Sequence, residues 1–172
     1  MLIKKYIFSI RQRKKEKKDA AVYNDMLFAV SMMCVNLSSS YDFTSHIRKA
    51  TAEEIEQLIN EAKSIPPSVP GGGYYIPSLH NYVVHCLETW PDRVFFFKHL
   101  DFHDVQIEED QNDSHSSLWA SPLPLEYMNK DLYVFYYNNF GLPGTHLCAR
   151  EGYVFYDAED NQIVACAWQC IS

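Results

Sequence analysis

The sequence predicts an α+β fold in which N-terminal helices pack on a mostly antiparallel C-terminal sheet. Three observations lead there. Apolar residues in the first half of the chain recur at spacings of three and four, the period of a helix with one buried face. After Arg93 they fall instead in short β-branched and aromatic runs separated by turn residues. The 12 Tyr and 10 Phe lie mostly after Tyr74, in the part read as strands. At 172 residues with 47% apolar composition, the chain suits one domain able to bury roughly 70% of its unfolded surface. Within that single domain, 1–172, residues 1–18 form a basic N-terminal arm and 19–65 a helical part. A Pro/Gly-rich connector follows at 66–77, then a helix and the antiparallel sheet at 78–172. No internal repeat is visible.

The first helix is placed at Asp19 to Leu37 by Tyr23, Met26, Leu27, Val30, Met33, Cys34 and Leu37, which share one face. Phe28, Met32 and Val35 widen that stripe and predict a well-buried helix. The preceding RQRKKEKK either continues the helix or stays a solvated lead-in. Thr51 with Glu54 three positions on makes a capping box, and Ile55, Leu58, Ile59 and Ala62 follow at helical spacing. Four prolines and three consecutive glycines in IPPSVPGGGYYIP then forbid regular structure. Those glycines lack the Lys-Ser/Thr ending and the Gly spacing of a phosphate cradle, so the stretch reads as a connector. Leu79, Tyr82, Val83, Cys86, Leu87 and Trp90 predict a third helix stopped by Pro91. Strands are expected at RVFFFKHL, DLYVFYYN, GYVFYD and NQIVACAWQ, the last two joined as a hairpin.

Charge is divided unevenly. Residues 1–18 hold eight of the 15 basic side chains and one acid, a net +7, while residues 19–172 carry seven basic and 21 acidic side chains, a net −14. Such a body repels nucleic acid and anionic membrane and attracts a basic protein. Leu2, Ile3, Tyr6, Ile7 and Ile10 give the arm an apolar stripe among lysines, suited to core docking or to an interfacial membrane contact. Stable membrane insertion is not expected, because the apolar run from Met26 to Leu37 is too short to span a bilayer. It also lacks a closing small-residue cleavage site, and a cytoplasmic location is expected.

Five cysteines (Cys34, Cys86, Cys148, Cys166, Cys170) form an odd set without a CxxC pair. On a strand, Cys166 and Cys170 share a face but stand ~13 Å apart, beyond disulfide reach. Reduced thiols acting as small core residues fit best.

Candidate chemistry concentrates in KHLDFHDVQIEEDQNDSH, Lys98 to His115, which packs three histidines and six acids into eighteen positions. His99, Asp101 and His103 would share one face of a strand and are legitimate metal ligands, although alternate strand positions sit ~6.5–7 Å apart and must converge with a fourth group. Asp104, Glu108, Glu109, Asp110 and Asp113 lie among Gln106, Gln111 and Asn112, where carboxylates stay hydrated and ionised. That favours a surface loop over acid–base catalysis. Together with Asp101 those five carboxylates can meet a cationic cleft, steering encounter and pairing with Arg or Lys there. In GLPGTHLCAREG, His146 stands two residues before Cys148, the pattern from which a thiol nucleophile with a histidine base could be built. Sequence alone therefore leads to a non-enzymatic acidic binding protein. Its partner would be a basic toxin or nuclease, neutralised as an immunity protein or antitoxin does, and no cofactor is expected. The alternative is a cysteine-dependent hydrolase or transferase at Cys148.

Overall fold

The computed structural model describes residues 2–35, 37, 42–64, 79–100, 120–138 and 150–170. Helix α1 runs over Leu2–Met33, strand β1 over Ile47–Lys49, α2 over Ala52–Ser64 and α3 over Leu79–Thr89. The remaining strands are β2 (Val94–Phe97), β3 (Ala120–Ser121), β4 (Leu132–Asn138), β5 (Arg150–Asp157) and β6 (Gln162–Cys170). They form one antiparallel sheet in the order β1-β2-β4-β5-β6-β3. The α+β architecture expected from the sequence is thus present. The Pro/Gly connector lies outside the described residues.

The basic lead-in is helical. No proline or glycine interrupts the 32 residues of α1, and Lys, Arg, Gln, Glu and Ala are good helix formers. At about 1.5 Å per residue the helix is about 48 Å long. Its two halves differ. Val22, Met26, Ala29, Val30 and Met33 are buried, whereas every residue from Arg11 to Lys18 is exposed. Arg11/Lys15, Arg13/Lys17 and Lys14/Lys18 stand four apart with like charge, which costs a few tenths of a kcal/mol per pair. The expectation of a well-buried helix needs correcting. Phe28 is 68% exposed and Val35 50%, so only one side of the second half meets the core. No helix among the described residues is long and apolar enough to cross a membrane.

The sheet is covered on both faces. Against α1 lie Phe95, Phe97, Val134, Tyr136, Tyr153, Phe155, Ala165 and Ala167. Against α2 and α3 lie Val94, Phe135, Tyr137, Val154 and Tyr156. Successive residues of β4 and β5 point to opposite sides, and both sides are dry, so these strands read as continuous apolar runs rather than alternating ones. Aromatic rings fill the α1 side in edge-to-face pairs, Phe97 with Phe155 at 5.1 Å and Tyr136 with Tyr153 at 5.6 Å.

Helix α2 starts as the sequence predicts. The Glu54 N–H donates to Thr51 Oγ1 and the Thr51 N–H to Glu54 Oε2, closing the capping box. Arg48, on β1, completes the corner. It donates to both Glu54 oxygens, at 2.6 and 2.8 Å, and lies 4.4 Å over the Phe96 ring. The three-residue β1 was not anticipated, since its pattern is too short to carry a period. It pairs with β2 through Ile47 and Phe97 and leaves the charged Arg48 and Lys49 on the sheet edge.

At the β5–β6 hairpin, Asp157 is fully buried. Its carboxylate accepts the Glu159 N–H at 3.0 Å and the Lys130 ammonium at 2.9 Å. Asn161 takes the left-handed φ of 49° that closes the turn. Asp157→Ala should cost about 1–3 kcal/mol in urea unfolding, since it strands groups that Asp157 satisfies inside the fold. Glu88→Ala, which breaks a solvent-exposed pair with Lys63, should stay within about 0.5 kcal/mol. Equal effects of the two changes would show that Asp157 does not hold the hairpin.

Candidate functional site

Most residues singled out in the sequence lie outside the described residues. That holds for Asp101, Asp104, Glu108, Glu109, Asp110 and Asp113, for His103, and for the pair His146 and Cys148. His99 is described, and its partner is Asp131. The Asp131 carboxylate accepts the His99 backbone N–H at 2.9 Å and lies 2.8 Å from its ring Nδ1. Partial burial opposes ionisation of Asp131, but the two contacts with His99 outweigh it and hold the carboxyl below its ordinary range. The Nδ1 side of His99 is therefore committed to a carboxylate. Among the described residues, no group of three or more His, Cys, Asp or Glu side chains is placed to hold a metal ion.

Two thiols behave as the sequence suggests. Cys34 and Cys86 are buried, and burial pushes each pKa up to about 12. Both stay protonated and unreactive near neutral pH.

Two concave regions bring chemistry-bearing side chains together. The first is an acidic groove of about 430 Å³ formed by α2, β4 and the β5–β6 turn. Glu54, Gln57 and Glu61 come from α2, Tyr133 from β4 and Glu159 from the turn. Arg48 neutralises Glu54, whose pKa it draws down to about 2. Glu61 accepts a hydrogen bond from Gln57 Nε2 at 2.7 Å and keeps its charge uncompensated by any described cation. The field is visible in the neighbouring phenols. Burial first and Glu61 second push Tyr156 up to about 12, and burial followed by Glu54 raises Tyr133. Sequence reasoning recognised Glu54 as a cap but not the groove, whose parts lie a hundred residues apart in the chain.

The second is a cleft of about 280 Å³ between α1 and β4–β6. Asp25, Phe28, Ala29 and Met32 share one side of α1 at helical spacing, and Arg93 enters from the turn before β2. Tyr136, Glu151 and Tyr153 project from β4 and β5, with Trp168 and Gln169 from β6. Glu151 is held by two donors, the Tyr136 hydroxyl and Gln169 Nε2, the latter at 2.7 Å. Arg93 lies 4.3 Å over the Tyr136 ring, and Trp90 meets that ring edge-on at 5.0 Å. The Tyr153 hydroxyl is buried beside the Asp25 carboxylate. Burial and then the nearby Asp25 carboxylate raise its pKa, with Arg93 opposing, so the phenol keeps its proton. Gly152 allows the strands to approach here, because a Cβ would stand 1.9 Å from the Ala167 carbonyl oxygen.

Gly152→Ala should accordingly destabilise the protein by about 1–3 kcal/mol through the forced separation of β5 and β6; an unchanged thermal midpoint would mean that the strands do not approach so closely. In native protein at neutral pH, a mild alkylating reagent should leave Cys34 and Cys86 unmodified until denaturant is added. Peptide mapping of the same reaction reports on Cys148, where rapid native labelling is the signature of an activated thiolate. No protein-family model, curated protein or solved structure matches this chain, and its chemistry is read from its own side chains.

Proposed function

We propose that the chain is a non-enzymatic acidic binding protein that acts in the cytoplasm and neutralises a basic protein. Its mode would be that of an immunity protein or antitoxin blocking a toxin or nuclease. The observation that carries this reading is the charge of the body, −14 over residues 19–172, together with a groove in which Glu61 and Glu159 face solvent without a described cation. A cleft that binds phosphates must present Arg and Lys, and carboxylates can occupy it by taking the phosphates' place. The segment with Asp101, Asp104, Glu108, Glu109, Asp110 and Asp113 supplies six more carboxylates within thirteen positions. Long-range attraction between such surfaces accelerates encounter and fades with salt over a Debye length of about 8–10 Å.

The test begins with the tagged protein on a low-salt column, from which a stoichiometric basic partner elutes as salt rises. Association of that partner is then timed against charge-reversed variants. Reversing Glu61 and Glu159, or the six acids between 101 and 113, should slow association by about tenfold or more and flatten its salt dependence. Wild-type association kinetics in both variants would overturn the assignment of these surfaces. A partner that is acidic, or that binds equally well in high salt, would overturn the proposed mode of binding.

A further inference from the structure

Helix α1 carries two apolar stripes, and they fall on opposite sides of its axis. At about 100° per residue, the residues buried against the sheet (Val22, Met26, Ala29, Val30 and Met33) centre on one side. Leu2, Ile3, Tyr6, Ile7 and Ile10 occupy helix positions centred about 150° round from them. Lys18 falls on the core's side of this division, and it does reach the body, meeting Asp92 at 3.4 Å. The sheet that covers the second half of α1 therefore lies on the wrong side to cover the first stripe.

The outer side continues along the helix. Arg13, Lys14, Lys17, Ala21, Asn24 and Phe28 follow in line with Ile7 and Ile10 and are all exposed, Phe28 by 68%. No acid stands among them; Asp25 lies at the margin, and Glu16 and Asp19 lie further round. Arg11, Arg13, Lys14, Lys15 and Lys17 form no ion pair among the described residues. They repel one another at spacings of three and four, so a surface of negative charge would relieve them.

We propose that the outer side of residues 2–18 binds an anionic lipid surface, lying in the headgroup plane with its apolar stripe among the upper acyl carbons. Two features select this occupant. A stripe of Leu, Ile and Tyr gains by leaving water, and unpartnered cations gain by meeting fixed negative charge. A nucleic-acid backbone offers the charge without an apolar bed. The acidic groove of a second copy has the charge but is lined mainly by Glu, Gln and Tyr, and a second arm has the wrong sign. The contact is superficial, because no helix among the described residues is long and apolar enough to cross a membrane. The sheet lies across α1 from the bilayer, so the acidic body stays at least the helix's width of about 10 Å from the lipid.

Sedimentation of the full chain with vesicles tests this, comparing phosphatidylcholine alone with a mixture containing about one-third phosphatidylserine. Binding to the anionic vesicles should be tighter by about tenfold or more and should fall as salt rises. Reversing two charges together, Lys14→Glu with Lys17→Glu, should weaken it by about tenfold or more. Ile7→Ser should weaken it by about threefold or more while the thermal midpoint stays unchanged. A stripe docked on the body would instead lower that midpoint and leave vesicle binding intact. Equal affinity for the two vesicle types, wild-type binding in either variant, or a lowered midpoint in Ile7→Ser would each overturn the proposal. So would duplex DNA retained by a chain that ignores both vesicles. None of these readouts requires the basic protein partner, so this proposal and the neutralising role fail separately.

Discussion

The rest of the molecule is arranged around two strands, β4 and β5, whose side chains must be dry on both sides. Val134 and Tyr136 point to α1 while Phe135 and Tyr137 point to α2 and α3, and Tyr153 and Phe155 against Val154 and Tyr156 repeat the division one strand over. A sheet with two apolar faces needs two helical covers. The chain supplies one cover before the sheet and one from the helix pair that follows β1. The short outer strands β1 and β3 then extend the sheet where its edge reaches solvent.

Double coverage also explains where polar groups gather. A strand buried on both faces has no solvent side on which to place a charge, so Glu151 and Asp157 sit at the two ends of β5. Each is met there by donors: Glu151 by Tyr136 and Gln169, Asp157 by Lys130 and the turn amides. The cleft under α1 opens at the Glu151 end and the acidic groove at the Asp157 end. Both concave regions thus follow from the same limit on where β5 can carry charge.

Local pattern made much of this fold legible. The Thr51–Glu54 box, the helical spacing from Leu79 to Trp90 and the four long aromatic runs each carry a complete signal within a dozen residues. Strands β1 and β3, of three and two residues, are too short to show a period and form because a neighbouring strand offers a free edge. Phe28 misled because an aromatic next to a stripe looks like part of it, whereas the helix turns it toward the cleft mouth. Neither concave region could be read from spacing. The cleft joins Asp25, Arg93, Tyr136, Tyr153 and Gln169, five positions on different elements that only the sheet order brings together. The acidic segment from Asp101 to Asp113 and the pair His146 and Cys148 remain sequence readings, outside the described residues.

The arm has a further consequence for how this protein meets anything charged. Residues 1–18 carry +7 on a helix that is solvent-exposed from Arg11 to Lys18 and touches the body where Lys18 meets Asp92 at 3.4 Å, and the body carries −14. Opposite charges separated along a rod give a permanent electric dipole whose axis is set by α1. In an external field such a molecule experiences a torque before it makes contact. A cationic surface draws the body forward and turns the arm away, and an anionic surface does the reverse. The protein thus presents a different end to each sign of charge without changing shape, and ordinary salt confines that sorting to the last Debye length, about 8–10 Å, of the approach.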